Sequence, residues 1–583
     1  MATRFLAVIP HAGRASTTFA QGLRKKTGFA VAVDEDALTL LVEHIDGVVT
    51  TDQDGCAVVG WLFGREDYRV RTVVDSLTSQ AMANADFKRL LNHYWGGYIA
   101  FAKRAGDRAI SVLRDPSGGL PCYYQRTPHA TFLFSDMATW RAAEIGHTEI
   151  DWTGVAWRLA AANLPTSRTA LDQIDELGAG FNLLASDYDA IPQIAWTPWE
   201  HVDPPSGPAS SDLAGALRET VLRSVAAWAV PFRNVLLNLS GGLDSSIIAA
   251  GLAERSNRAA ALTMATRSPS GDERRYARSV AHATDLKLIE SFYEADDVDI
   301  ALPSLPDLPR PTGRIIGQAF EAARRRTAAL RGADAFFTGL GGDNVFCFLQ
   351  SPTPLADQLK AQGLTPALRE TLDSVCMQTG CSITTALWWA VQRAWMRPPR
   401  YRWQRHALFL DPACLPRASD LTHPWLTAPT GALPGKAAHI AMLMRVQAER
   451  DCFARGSAIP IIAPLLSQPI MELCLSIPTW LWSAGGRDRA VARDAFAGLL
   501  PAMVVDRRSK AGPEAFCYEI IARDRDRLRA HLLDGELAAN GILDRSAIEN
   551  VLREPAPPSG DHFLRLLELA DAEAWVRHWS RAS

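Results

Sequence analysis

The run Asn238-Leu239-Ser240-Gly241-Gly242-Leu243-Asp244-Ser245-Ser246 lies between the apolar Val235-Leu236-Leu237 and the apolar Ile247-Ile248-Ala249-Ala250. A buried strand that turns through two glycines into a helix leaves free backbone amides at the helix N-terminus, and such an end attracts anions. Gly241 and Gly242 let the backbone approach a phosphate, and Ser240, Ser245 and Ser246 add hydroxyl donors. Asp244 would be repelled by polyphosphate unless a cation lies between them, and magnesium takes both carboxylate and phosphate oxygens. The lysine-bearing GxxxxGK[ST] pattern of kinase-type loops is absent from the chain.

A second glycine turn, Thr338-Gly339-Leu340-Gly341-Gly342-Asp343-Asn344, also follows an apolar run. Loops beyond neighbouring strand ends of a parallel sheet converge, so Asp244 and Asp343 together read as ligands of one magnesium ion. The plainer reading of Asp343 is a helix cap. Asp272 and Glu273 open a helix and read as caps.

Positioning these residues takes more than one core, because 583 residues exceed what a single core supports. The first 200 residues hold short β-rich runs (Phe5 to Pro10, Phe29 to Val33, Cys56 to Phe63, Tyr98 to Lys103, Ala109 to Arg114, Thr131 to Phe134) separated by turns such as Asp115-Pro116-Ser117-Gly118-Gly119. They predict an antiparallel, sheet-rich unit, with helix over much of Val74 to Tyr94. The cluster from Val202 to Ser211, rich in Pro, Ser and Gly, is the best boundary, dividing the chain into 1–203 and 212–583. A helix follows from about Asp212 to Val230.

Beyond it, the apolar runs Val235 to Leu239, Ala260 to Ala265, Leu286 to Phe292 and Ala335 to Leu340 alternate with helical stretches, which predicts an α/β unit with a doubly wound parallel sheet. After about residue 352 the chain is mostly helix-like and rich in Trp and Arg. The net charge of -3 offers no electrostatic pull on nucleic acid. Nine scattered cysteines without CxxC spacing, no secretory signal and no apolar stretch of membrane-crossing length point to a cytoplasmic protein with reduced thiols.

SGGLDSS resembles the pyrophosphate-binding motif of ATP pyrophosphatases that split ATP between the α- and β-phosphates, and the longer context resembles the asparagine synthetase branch. Trp95-Gly96-Gly97-Tyr98, Leu113-Arg114-Asp115-Pro116-Ser117-Gly118-Gly119 and Phe134-Ser135-Asp136-Met137 look like that branch's glutaminase-type (Ntn) sandwich. Thr338 to Asn344 resembles its second signature, and Arg508-Ser509-Lys510-Ala511-Gly512 its basic loop. The resemblance implies ATP as substrate, with Leu239, Ser240, Gly241, Gly242, Leu243, Asp244, Ser245, Ser246, Met264 and Gly339 binding it. It gives Lys510 the role of a cation beside the α-phosphate. On residue type alone, Met264 also reads as core and Lys510 as a solvated charge.

Three departures narrow the expectation. The family's glutaminase thiol follows the initiator methionine, and here that residue is Ala2, so release of ammonia from glutamine is not expected. Leu340 stands where asparagine synthetases have Glu and β-lactam synthetases Tyr, and Asn344 replaces a Glu. Pro464-Leu465-Leu466-Ser467-Gln468-Pro469 resembles a segment of lasso peptide cyclases. That resemblance implies adenylation of an Asp or Glu side chain in a precursor core peptide and attack by the peptide's N-terminal amine, with a leader peptidase and a leader-recognition protein as partners. Another amide-forming synthetase or a non-catalytic nucleotide-binding scaffold is the alternative. The stretch from Trp388 to Arg405 reads either as a peptide grip or as an amphipathic helix with buried tryptophans.

Overall fold

The computed structural model describes the chain except residues 1–3, 12–16, 105, 107, 204–211, 267–271, 455–458, 509–511, 555–559 and 583, and also leaves out the side chains of 17, 18, 451–454 and 582. Ala2, most of the Pro-Ser-Gly boundary and Lys510 lie outside the described residues.

The N-terminal part carries two antiparallel sheets. One runs in the order Ile174–Glu176, Tyr123–Arg126, Ala130–Phe134, Phe5–Pro10, Thr39–Val42, Ala30–Asp34, and the other Gln193–Ile194, Phe181–Leu184, Ile110–Arg114, Tyr94–Lys103, Ala57–Gly64, Val48–Val49. Alternate residues explain why these strands read as unbroken apolar runs. Phe5, Ala7 and Ile9 face Val59, Ile99 and Phe101 of the second sheet. Leu6 and Val8 join a core with Phe516, Ile520 and Trp575 from the far end of the chain. The expected strands are present within a few residues. The helices Thr17–Thr27, Met137–Ala143 and Trp152–Ala161 were not expected.

The outer face of the second sheet buries Phe63 and Trp95 against the helix Leu213–Ala229, whose Leu217, Val221, Val225 and Trp228 face inward. Trp228 stacks edge-on against Phe63 at 4.9 Å and donates from its indole to Ser467 Oγ at 2.9 Å. Asp212 caps that helix, accepting from the Gly215 amide at 2.7 Å.

The C-terminal part is built on a parallel sheet in the order Lys287–Phe292, Ala259–Ala265, Val235–Asn238, Ala335–Thr338, Ile461–Ile462. One face, with Leu237, Ala261 and Phe337, packs on the helices Leu243–Leu252 and Arg274–Ala283. The other, with Leu236, Ala260, Leu262 and Phe336, packs toward the helix Gly317–Arg331. The chain steps outward from Val235–Asn238 through two strands, then returns to place Ala335–Thr338 on the opposite side. The loops after these two central strands therefore meet at the switch in strand order and line one crevice. The chain is thus a mixed α/β protein, and no described helix is long and apolar enough to cross a membrane.

Charge also ties the two parts together. Glu472, nearly buried on the helix Gln468–Ser476, accepts from Arg65 Nη1 at 2.6 Å, Trp196 Nε1 at 3.0 Å and Gln468 Nε2 at 2.8 Å. Burial opposes its charge, but Arg65 and His201 outweigh it and hold the carboxyl below its usual range. Breaking such a pair leaves a cation stranded, so Glu472→Ala should destabilise the protein by about 3 kcal/mol. The folded value is depressed, so this stability is present above the ordinary value of 4.5 and is lost as pH falls through the folded one. The gap in thermal midpoint between wild type and Glu472→Gln should be widest near neutrality and narrow below that value. A gap independent of pH would contradict the assignment.

Candidate active site

The strand Val235–Asn238 ends at Asn238, and the chain turns through Gly241, with φ of 72°. A Cβ there would come within 2.4 Å of Tyr276 Cβ and 2.6 Å of the Ala277 amide, so only glycine fits. Gly242 caps the helix Leu243–Leu252 without a side chain, leaving its first amides to face the crevice. Ser240 and Ser245 hold the turn, with hydroxyls 3.2 Å apart. Ser246 turns away and donates to the Gly242 carbonyl at 2.7 Å.

From the far side comes the turn after Ala335–Thr338. A Cβ on Gly339 would fall 2.6 Å from the Ser245 amide nitrogen, and one on Gly342 would fall 2.2 Å from Asp244 Cγ. The two glycines let the loops touch, bringing Asp343 on the short helix Gly342–Val345 beside Asp244. Both carboxylates meet at one guanidinium nitrogen: Arg489 Nη1 donates to Asp244 Oδ1 at 3.1 Å and to Asp343 Oδ1 at 2.5 Å. Two acids that can share one cationic atom fit a magnesium ion, which takes one or two carboxylates with substrate phosphates and water. Among the described residues no cluster of three or more His, Cys, Asp or Glu forms a fuller metal cage.

Arg489 was not foreseen. It sits in the left-handed backbone region at φ 51°, a strained conformation of the kind that collects at functional sites. Burial works against its charge, while Asp244, Asp343 and Asp488 raise its pKa. Asp488 accepts from Arg489 Nε and Arg493 Nη2, both at 2.8 Å. The available signal was Arg493, a cation within Ala490-Val491-Ala492 and Ala495-Phe496, where an apolar helix face was due.

Arg507 is the second unforeseen residue. Its Nη1 donates to the Gly241 carbonyl at 3.2 Å, its Nη2 pairs with Glu273, and its guanidinium lies 3.9 Å from the centre of the Tyr276 ring. Glu273 is thus the anchor of an arginine and makes no side-chain cap, while Asp272 does accept from the Arg274 amide at 3.0 Å. Arg507 thus ties the end of the short helix Ala502–Val505 to the glycine turn.

These groups enclose a cavity of about 270 Å3, lined among others by Ser240, Gly242, Ser245, Gly339, Leu340 and Arg508. Leu239 does not line it; its side chain is wholly buried and its amide donates to the Leu262 carbonyl at 2.8 Å. Met264 packs beside the Leu236 and Phe336 core, in keeping with its core reading. Asn344 is spent on the Met442 carbonyl at 2.7 Å.

In the sheet-rich part, Asp115 of the motif Leu113 to Gly119 is buried and accepts from the amides of Tyr98, Ser117 and Gly119 at 3.1, 2.8 and 3.1 Å. Gln447 and Arg450 from the long helix Pro434–Ala454 donate to the Pro116 and Ser117 carbonyls at 2.8 and 2.6 Å. The motif shapes a turn and docks it. Cys56 lies just before the strand Ala57–Gly64, and burial pushes its thiol up, away from nucleophilic use.

Two solved structures resemble parts of the chain. The glutamine phosphoribosylpyrophosphate amidotransferase of B. subtilis, complexed with ADP and GMP, is 12% identical over 58% of this chain and 92% of its own, with a TM-score of 0.22. An allosteric regulatory enzyme of purine biosynthesis is 10% identical over 58% and 91%, also at 0.22. These scores are too low to carry an argument. No curated protein matches the chain. The family described as asparagine synthase matches residues 216–577, more than half of the chain and the whole of the crevice just described. The chain therefore belongs to the asparagine synthase family, and at that level it is an ATP-dependent amide-forming synthetase.

Proposed function

We propose that the protein closes a macrolactam in a peptide, as lasso peptide cyclases do, by adenylating an Asp or Glu side chain and passing it to the peptide's own N-terminal amine. The observation that carries the choice within the family is Leu340, an apolar side chain on the cavity wall where an asparagine synthetase would present an acid. With Asn344 bound to the Met442 carbonyl, neither position offers a group to handle a small free amine.

In this reading the amides from Gly242 onward, with the Ser240 and Ser245 hydroxyls, hold the β- and γ-phosphates. Asp244 and Asp343 hold magnesium, which when bound neutralises charge on the phosphates. A carboxylate oxygen of the peptide attacks the α-phosphorus, and pyrophosphate leaves. The amine then attacks the acyl carbon and loses a proton, and AMP departs with one former carboxylate oxygen. Lys510 offsets charge at the α-phosphate. Arg507 holds the Gly241 carbonyl, and its side chain is too buried to follow the substrate. A precursor peptide, its leader peptidase and a leader-recognition protein would be the partners, in the cytoplasm.

Incubation with ATP, magnesium, a candidate precursor and its leader peptidase, read by mass spectrometry, tests the proposal. The expected product is a peptide lighter by one water, formed together with AMP. AMP formed while the trimmed peptide remains linear would overturn cyclisation in favour of another amide-forming synthetase.

A further inference from the structure

The chain has 17 tryptophans, all within the described residues, and the three exposed ones all lie between 388 and 395. Trp388 is 57% exposed, Trp389 38% and Trp395 61%. They stand on the helix Ile383–Val391, which Ser382 caps through the Thr385 amide, and on its π-helical continuation Gln392–Met396. The helix inverts the usual arrangement. Ala386, Ala390 and Ala394 face the small core with Leu355 and Val375, while Ile383, Leu387, Trp388, Trp395 and Met396 face solvent. A contiguous aromatic and Met surface of this kind marks an interaction site on a soluble protein.

The charge of the stretch is one-sided. Between Ser374 and Leu410 there is no Asp or Glu, whereas Arg393, Arg397, Arg400, Arg402 and Arg405 all fall there. The helix before the tryptophan helix reaches toward the active site. Met377 and Gln378, at the end of the preceding helix Ala367–Thr379, line a cavity of about 340 Å3 that shares Phe348, Asp488 and Arg508 with the crevice cavity. Gly380 turns the chain directly from that cavity into the tryptophan helix.

We propose that this face docks the acceptor peptide, an acidic segment that lays apolar residues on Trp388 and Trp395 and sends its carboxylate through the second cavity, past Arg508, to the α-phosphate. The proposal rests on the peptide reading above and names the surface that would select the peptide. Charge complementarity favours an acidic peptide over a second copy of the face, which has no acids to meet its arginines.

The test uses the full chain and fluorescein-labelled synthetic peptides, each with a free N-terminal amine and several Asp or Glu among apolar residues. Anisotropy gives peptide affinity, and ATP/pyrophosphate exchange gives activation. The double variant Trp388→Ala/Trp395→Ala should keep the wild-type thermal midpoint and KM for ATP while its peptide Kd and KM rise at least about tenfold. Trp388→Phe/Trp395→Phe should recover most of the loss. Unchanged peptide affinity in the alanine variant would overturn the proposal. So would a wild-type protein that binds oligo(dT) or phosphatidylglycerol vesicles through this face and ignores the peptides. Peptides that bind through the two tryptophans without supporting exchange would sustain the docking surface and count against the catalytic reading.

Discussion

Asp244→Ala should lose AMP formation by at least about a thousandfold while the protein keeps its fold. A carboxylate on the first turn of the helix Leu243–Leu252 stands where the pyrophosphate of ATP would be drawn by the helix amides, and without a cation the two anions repel. In the proposed reading Asp244 fixes such a cation, and one lost charge-stabilising group at a phosphoryl centre costs about 100- to 1,000-fold. Here the loss also leaves Asp343 alone to hold the ion. Folding should survive, because Arg489 retains Asp343 and Asp488 as partners. Undiminished AMP release, measured with a peptide substrate under saturating ATP, would refute the metal assignment.

Gly339→Ala should lose activity by a smaller but still large factor, for a purely steric reason. The added Cβ would lie 2.6 Å from the Ser245 amide nitrogen and 2.8 Å from the Asp244 carbonyl carbon. Both are backbone atoms that cannot rotate aside, so the loops must part, and Asp244 and Asp343 with them. A displacement of about 1 Å in a catalytic constellation costs roughly a hundredfold, and that loss should appear in ATP/pyrophosphate exchange. Gly317→Ala is the control, since nothing lies within 4 Å of its Cβ position. Equal exchange rates for the two variants would mean that the loop contact does not set the geometry.

The parallel sheet and its two glycine turns were legible because their signals are local: apolar runs of strand length, Gly pairs and serines in one short span. The convergence of Asp244 with Asp343 followed from topology alone, because strands that neighbour each other across a switch in order open their loops toward one crevice. Arg489 and Arg507 escaped because the partners that define them, Asp343 and Asp244 for one and Glu273 and Gly241 for the other, lie 146 to 266 residues away in sequence, beyond any periodic pattern. The strand Ile461–Ile462 escaped because two residues, paired to Phe336 and Phe337, leave no repeat to read.

Leu239 and Ser246 part from their neighbours in the motif. Both belong to the motif, yet one side chain is buried and the other bonds back to Gly242, so motif membership did not give direction. The tryptophan helix misled through amphipathicity. Hydrophobic spacing predicts which residues share a face, but three alanines suffice to pack this helix, and the larger side chains were left outside.

In the proposed reading the crevice joins a carboxylate to AMP before an amine takes it. Labelling the acceptor side-chain carboxylate with 18O and analysing the nucleotide product tests this most directly. One 18O atom is expected in the phosphate of AMP, with none in pyrophosphate and no ADP. Appearance of ADP with the label in inorganic phosphate, or unlabelled AMP from simple hydrolysis, would contradict it.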